Sequence, residues 1–270
     1  NAISGSGTLV YTPTGFSNTS SNVSATTQTV RNIGPSCNIG SSNSGNTNTL
    51  TVTNSSNTAT SSSNISSSVG GATAADPTHQ STVSGVTTWT WGIDNSVTSP
   101  AADPWVLSQG TALGTNNVMT VATSGEINFP LQPAFGTINT LQSDATGDGT
   151  AYTITFTTVT FDQNSDFDGT STFTAPVAGR YQFNLGITMG GITAGMTLAV
   201  MQIVTTGKTF TGIGLSYGVV MTSTAVVRQS QSVLANMAAG DTATCVIQIS
   251  NGTKVADVIA GGTFSGYLVA

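Results

Sequence analysis

The sequence predicts an all-β protein: a C-terminal jelly-roll sandwich preceded by an extended β-rich shaft. Three observations carry this. Apolar residues recur with period two over short runs, as on half-buried strands. Turn residues separate the runs at close spacing. Ser, Thr, Asn and Gly fill the positions that charged residues normally occupy, and these residues favour turns and strands over helices. No segment shows sustained helical periodicity, heptads or a Gly-X-Y repeat.

The elements follow in chain order. Residues 1 to about 80 are Ser/Thr/Asn/Gly-rich. The stretches Ser41 to Thr49 and Thr58 to Ser63 approach low complexity. Such a segment lacks the large apolar residues needed to offset about 1–2 kcal/mol of backbone entropy per residue, so neighbouring copies are expected to hold it. Leu9, Val10 and Tyr11 follow the Gly-rich tether Ser4-Gly5-Ser6-Gly7 and precede Pro13. They are expected to act in assembly, adding as a strand to another subunit. Leu50 to Thr53 alternates. Thr87 to Ile93 places Trp89, Trp91 and Ile93 on one face, and Asp94-Asn95-Ser96 ends the strand in a turn. Val118 to Val121, a turn at Ser124-Gly125 and Glu126 to Phe129 complete the first half.

The composition changes near Pro130, which divides the chain into an assembly or shaft region, 1–130, and a denser domain, 131–270. In the second part Tyr152, Ile154 and Phe156 alternate with threonines, and Tyr181, Phe183 and Leu185 alternate with Gln182, Asn184 and Gly186. Leu198–Val204, Gly212–Met221, Ala225–Leu234, Thr242–Ile249 and Thr263–Ala270 continue the series. Turns are expected at Asp148-Gly149, Gly190-Gly191, Gly207, Gly240-Asp241 and Asn251-Gly252.

Charge excludes several function classes. Only 6% of the 270 residues are charged, and the net charge is −6. An ordinary domain carries roughly 25% charged residues. The five cations, Arg31, Arg180, Lys208, Arg228 and Lys254, form no cluster, so neither nucleic acid nor an anionic membrane surface is an expected partner. The best apolar stretch, Leu198–Val204, is interrupted by Gln202 and falls far short of the roughly 20 residues of a spanning helix. No charged-then-apolar leader opens the sequence at Asn1.

From Pro133 onward the chain resembles the C1q/TNF-like domains. The matching residues are Phe161-Asp162, then Phe173-Thr174-Ala175-Pro176-Val177-Ala178-Gly179-Arg180-Tyr181-Gln182-Phe183, and finally Thr263-Phe264-Ser265-Gly266-Tyr267-Leu268. The resemblance implies a ten-stranded jelly roll, a homotrimer about a three-fold axis, and binding rather than chemistry. It makes Phe161, Phe173, Gly179, Tyr181, Phe183, Phe264, Gly266 and Tyr267 the fold-defining core. The first half is similar to the shafts of bacterial and phage fibre proteins, through Trp91 to Ser96 and Thr111 to Met119. Together these imply an extracellular structural subunit, on a cell-surface appendage or virion fibre, that joins end to end through its N-terminus. The alternative is an adhesin or tail fibre that recognises a surface glycan or protein receptor.

Candidate sites are few. Asp162, Asp166 and Asp168 are the densest acid cluster and the weak candidates for a metal, with calcium the only cofactor they raise. The spacing departs from an EF-hand and no Glu closes the loop, so solvated turns are the plainer reading. Asp144 and Asp148 are likewise turn formers first. No catalytic residue is expected. His79 is the only histidine and is read as part of a turn, and no G-x-S-x-G is followed by a histidine base. Glu126, the only Glu, lies in a shaft-like strand, so paired-carboxylate glycan cleavage has weak support. Trp89, Trp91 and Trp105 are either sugar-stacking platforms or packing for a thin core. Cys245 shares a face with Ala243, Ile247 and Ile249 and is expected to be buried, whereas Cys37 sits in the polar region and offers a bridge between subunits.

Overall fold

The computed structural model describes residues 61–70, 74–96, 103–212 and 225–270, with 53, 55, 57, 59, 214 and 216 as isolated positions. Leu9, Val10, Tyr11, Cys37, Arg31 and most of the expected strands at 50–53 and 212–221 lie outside the described residues. The chain divides into two units, Asn1–Ile65 and Ser66–Ala270. In the first, the Asn64 amide lies within 3.5 Å of the Ser62 hydroxyl. The second holds all the named strands and, among the described residues, no helix, so none is long and apolar enough to cross a membrane.

The second unit begins with a small antiparallel sheet of five strands in sequence order. These are β1 (Thr78–Val83), β2 (Thr87–Ile93), β3 (Trp105–Gln109), β4 (Asn117–Val121) and β5 (Ile127–Asn128). Register places Trp91 opposite both His79 and Leu107, and Ile93 opposite Trp105. Trp89, Trp91 and Ile93 therefore share a face, but the face fully buried is the other one. Thr90, Val106 and Ser108 lie there, under the loop after β3. Thr90 Oγ1 donates to Gly110 O at 2.7 Å, and Gln80 Nε2 donates to Thr111 O at 2.8 Å. His79 lies on strand β1 rather than in a turn. The chain extends after Pro77, whose carbonyl accepts from Ile93 N at 3.3 Å, so pairing begins one residue earlier.

The sandwich follows. One sheet contains β10 (Phe173–Thr174), β15 (Thr242–Ser250), β12 (Leu198–Thr205) and β13 (Lys208–Thr211), with β8 (Ala151–Thr153) also paired to β15. The other has six strands. They are β14 (Ala225–Met237), β11 (Gly179–Ile192), β16 (Ala256–Leu268), β6 (Ala134–Ile138) and β9 (Thr158–Asp162), with β7 (Gln142–Thr146) paired to β16. Gly190-Gly191, expected as a turn, is instead a bulge inside β11, where the register slips between Met189 and Ile192. Gly191 has φ +66°, and a Cβ there would meet Val255 O at 2.2 Å, so only glycine fits.

The core lies between these sheets. Ala243, Cys245, Ile247 and Ile249 point inward from β15, and Tyr181, Phe183, Leu185, Ile187 and Met189 point inward from β11. Burial pushes the Cys245 thiol well up, so it is an apolar filler rather than a nucleophile. Phe135 is the hub, with ring centroids 5.0 Å from Phe173, 5.0 Å from Phe264 and 5.3 Å from Phe167.

Candidate functional site

Strand alternation gives the six-stranded sheet a second face, turned away from the core. Register aligns Ala134, Tyr267, Gln182 and Leu234 in one row across it. The next row is Phe161, Gly136, Ser265, Asn184 and Ser232. Phe161, Tyr267 and Leu234 are 55%, 49% and 53% exposed. Between them runs a polar network: Gln182 Nε2 donates to Ser232 Oγ at 2.6 Å, and Ser232 Oγ donates to Asn184 Oδ1 at 2.8 Å. Among the described residues, the charged positions on this face are Arg180 and Arg228, with Asp257 near its end.

The expected core set divides accordingly. Phe173, Tyr181, Phe183 and Phe264 are fully buried. Gly179 and Gly266 are places of close approach: a Cβ would fall 2.5 Å from Leu268 Cδ1 at the first and 2.6 Å from Phe183 Cδ1 at the second. Phe161 and Tyr267 are corrections, because both lie on the outer face. Tyr267 stands three residues after the buried Phe264, and an odd separation in a strand reverses the face. Phe161 pairs with Gly136 and covers it, with Cε1 2.5 Å from where a Cβ would stand. A ring can lie there because the glycine leaves the space.

The acidic loop after β9 is organised by its own carboxylates. Asp162 Oδ1 accepts from Asp166 N and Oδ2 from Phe167 N, each at 3.0 Å. Asp168 Oδ1 accepts from the backbone N–H of Thr170, Ser171 and Thr172 at 2.7, 2.8 and 3.0 Å. Burial pulls the Asp168 carboxyl up, but these donors outweigh it and hold it below the usual range. Asp166 differs. Its Oδ2 is buried without a partner, and burial together with the Asp162 charge raises its carboxyl. Among the described residues no three His, Cys, Asp or Glu side chains converge to hold a metal ion. Asp144, with φ +51°, donates its N–H to Asp257 Oδ1 at 2.8 Å, and Asp148 Oδ1 accepts from Thr150 N at 2.9 Å. Glu126 accepts from the Ser124 hydroxyl, which holds its carboxyl below the usual range.

His79 stacks on Trp91 with centroids 5.9 Å apart, and its Nε2 lies 3.3 Å from Ser67 Oγ. Trp89, Trp91 and Trp105 are half-buried on the same face. A feature no sequence motif announces is a cleft beside the acidic loop, where the linker after β5 crosses the end of the sandwich. It draws residues from Val118 to Leu268, so no local pattern marks it.

The C1q domain family matches residues 134–269, half of the chain. Among solved structures, the globular domain of zebrafish complement 1qA protein is similar at 18% identity and a TM-score of 0.36, covering 52% of this chain and 98% of that one. Murine APRIL at pH 8.5 is similar at 9% identity and a TM-score of 0.34, covering 51% of this chain and 99% of that one. No curated protein matches the sequence. C1q domains trimerise, occur in secreted or extracellular proteins and are generally structural or signalling ligands rather than enzymes. The sheet order, the buried aromatic cluster and the family match agree, and the chain belongs to the C1q domain family.

Proposed function

We propose that the protein is the structural subunit of an extracellular trimeric fibre or filament, with the C1q domain as its trimerising knob. The outer face of the six-stranded sheet carries this reading. It presents Phe161, Tyr267 and Leu234, each about half exposed, among serine, asparagine, glutamine and glycine. Large apolar groups set in a weakly charged lattice suit packing against further copies of the same surface. The polar first part of the chain supplies the shaft, and Leu9-Val10-Tyr11 supplies the connector to the next subunit. The reading requires no catalytic residue.

Sedimentation equilibrium of the full chain tests the knob. The expected mass is three times 27.2 kDa, and a monomer at micromolar concentration refutes the proposal. Leu234→Asp, which places a charge among the exposed apolar groups of this face on its edge strand β14, should dissociate the trimer while the sandwich stays folded. Electron microscopy of negatively stained particles tests the filament. Deleting residues 1–12 should leave trimers that no longer join end to end; unchanged joining removes the connector role.

A further inference from the structure

The segment after β5 and the end of the sandwich line a cleft of about 480 Å³. The segment contributes Phe129 and Leu131, and the sandwich contributes Pro176, Val177 and Leu268. Amide side chains fix this lining. Gln163 Nε2 donates to Phe129 O at 2.6 Å, Asn164 Nδ2 to Leu131 O at 2.9 Å, and Gln132 Nε2 to Leu268 O at 2.8 Å. Tyr181 Oη donates to Val177 O at 2.8 Å. The cleft is therefore preformed, which lowers the ordering cost of filling it.

A strand edge leads into this cleft. β5 ends its sheet and, among the described residues, pairs with β4 alone. Ile127 of β5, then Phe129 and Leu131 follow one another at period two, and each is about half exposed, as is Val177. An apolar end strand that runs into an apolar cleft is the arrangement that takes an extended peptide: main-chain pairing supplies affinity, and alternate side chains enter the pocket.

The sequence supplies a matching peptide. Within residues 1–80, Leu9-Val10-Tyr11 is the one place where large apolar residues stand side by side, and no charged side chain precedes Arg31. Such a segment fills an apolar cleft without burying a charge. In an extended strand, alternation puts Leu9 and Tyr11 on one side, and Pro13 ends the pairing. We propose that the cleft and the edge of β5 receive Leu9-Val10-Tyr11 of a neighbouring copy, with Leu9 and Tyr11 entering between Phe129, Leu131 and Val177. This inference rests on the connector role proposed above and names the surface that the connector engages.

The test uses two full-length variants. One carries Leu9→Asp and Tyr11→Asp, so its own tip cannot dock; the other carries Leu131→Asp in the cleft, with Val177→Asp as its independent replicate. Both cleft positions are half exposed, and near-ultraviolet circular dichroism checks each fold. Neither variant alone should join end to end in negative stain. Mixed, the intact tip of one meets the intact cleft of the other, so paired particles should appear. A fluorescent peptide of residues 6–16 should bind the tip variant, and adding Leu131→Asp or Val177→Asp to that chain should weaken binding at least about tenfold. No binding at about 1 mM peptide, equal binding with and without the cleft substitutions, or no pairs in the mixture overturns the proposal. If deletion of residues 1–12 stops joining while both cleft variants still join, the connector role stands and the cleft is not its acceptor. Joining that survives the deletion defeats the connector role itself.

Discussion

In the sandwich, inward-pointing positions carry Phe135, Phe156, Phe173, Tyr181, Phe183 and Phe264, all fully buried. In the small sheet, the fully buried positions carry Thr90, Asp94, Val106 and Ser108. The same alternation thus serves two chemistries. Dispersion and area burial hold the sandwich. Specific hydrogen bonds hold the covered face of the small sheet: Thr90 Oγ1 to Gly110 O at 2.7 Å and Ser108 Oγ to Asn117 Oδ1 at 2.5 Å. Asp94 Oδ1 accepts from Ser96 Oγ at 2.5 Å, while its Oδ2 is left unpaired. The tryptophans and Leu107 lie on the opposite face, half-buried. A period-two pattern therefore identifies which residues share a face, but the size of the side chains does not identify which face is covered.

The largest expected difference comes from truncating the hub. Phe135→Ala should cost about 3–5 kcal/mol, because its cavity strips contacts from four other phenylalanine rings. All three tryptophans lie in the small sheet, so their fluorescence reports that sheet alone. Urea unfolding followed by tryptophan fluorescence and by far-ultraviolet circular dichroism separates the regions. The far-ultraviolet transition should move to lower urea and the tryptophan transition should move less. Equal shifts would show one cooperative unit and end the comparison.

These differences mark how far the sequence could be read. The motif from Phe173 to Phe183 was legible because it is local, and alternation assigns Tyr181 and Phe183 to one face. The parity of Phe264 and Tyr267 was equally legible, and it contradicts grouping both in the core. Phe161 was not, since its position depends on Gly136 across a strand pair. Gly190-Gly191 has the composition of a turn, and only the continuing pairing of β11 with β14 distinguishes it as a bulge. The cleft was beyond local reading, because the bond from Gln132 to Leu268 O joins residues 136 positions apart.

Tightening the core should cost less than emptying it. Gly266→Ala places a methyl 2.6 Å from Phe183 Cδ1 and 2.8 Å from Phe135 Cε1. Two interlocked rings cannot both retreat, so about 1–3 kcal/mol should be lost. The urea midpoint measures this, and a change within error would mean that the hub is looser than the ring spacings indicate. In the small sheet, Thr90→Val keeps the volume and removes one bond to Gly110 O, which should cost about 1 kcal/mol. The tryptophan-monitored transition is the readout. A stabilised variant would show that apolar packing, not hydrogen bonding, governs this face as well.

The smallest effects should come from the acidic loop, where neighbouring carboxylates have opposite linkage to pH. Backbone donors hold Asp168 below its unfolded pKa, so the folded state favours its charged form. That contribution is present above the unfolded pKa and is lost as pH falls through the folded value. Asp166 is raised by burial and by Asp162, so the folded state favours its proton. Its ionisation penalty is full above the folded pKa and disappears as pH falls through that value to the unfolded one. Asp168 is exposed and Asp166 only partly buried, which keeps the effects small. Asp168→Asn should therefore lower the melting temperature at neutral pH and converge on the native chain in acid. Asp166→Asn should raise it at neutral pH and also converge in acid. Melting temperatures of the two variants across the carboxylate range decide the matter. Shifts of the same sign at neutral pH would mean that Asp166 Oδ2 finds a hydrogen-bond donor in solution, so that its ionised form is stabilised as that of Asp168 is.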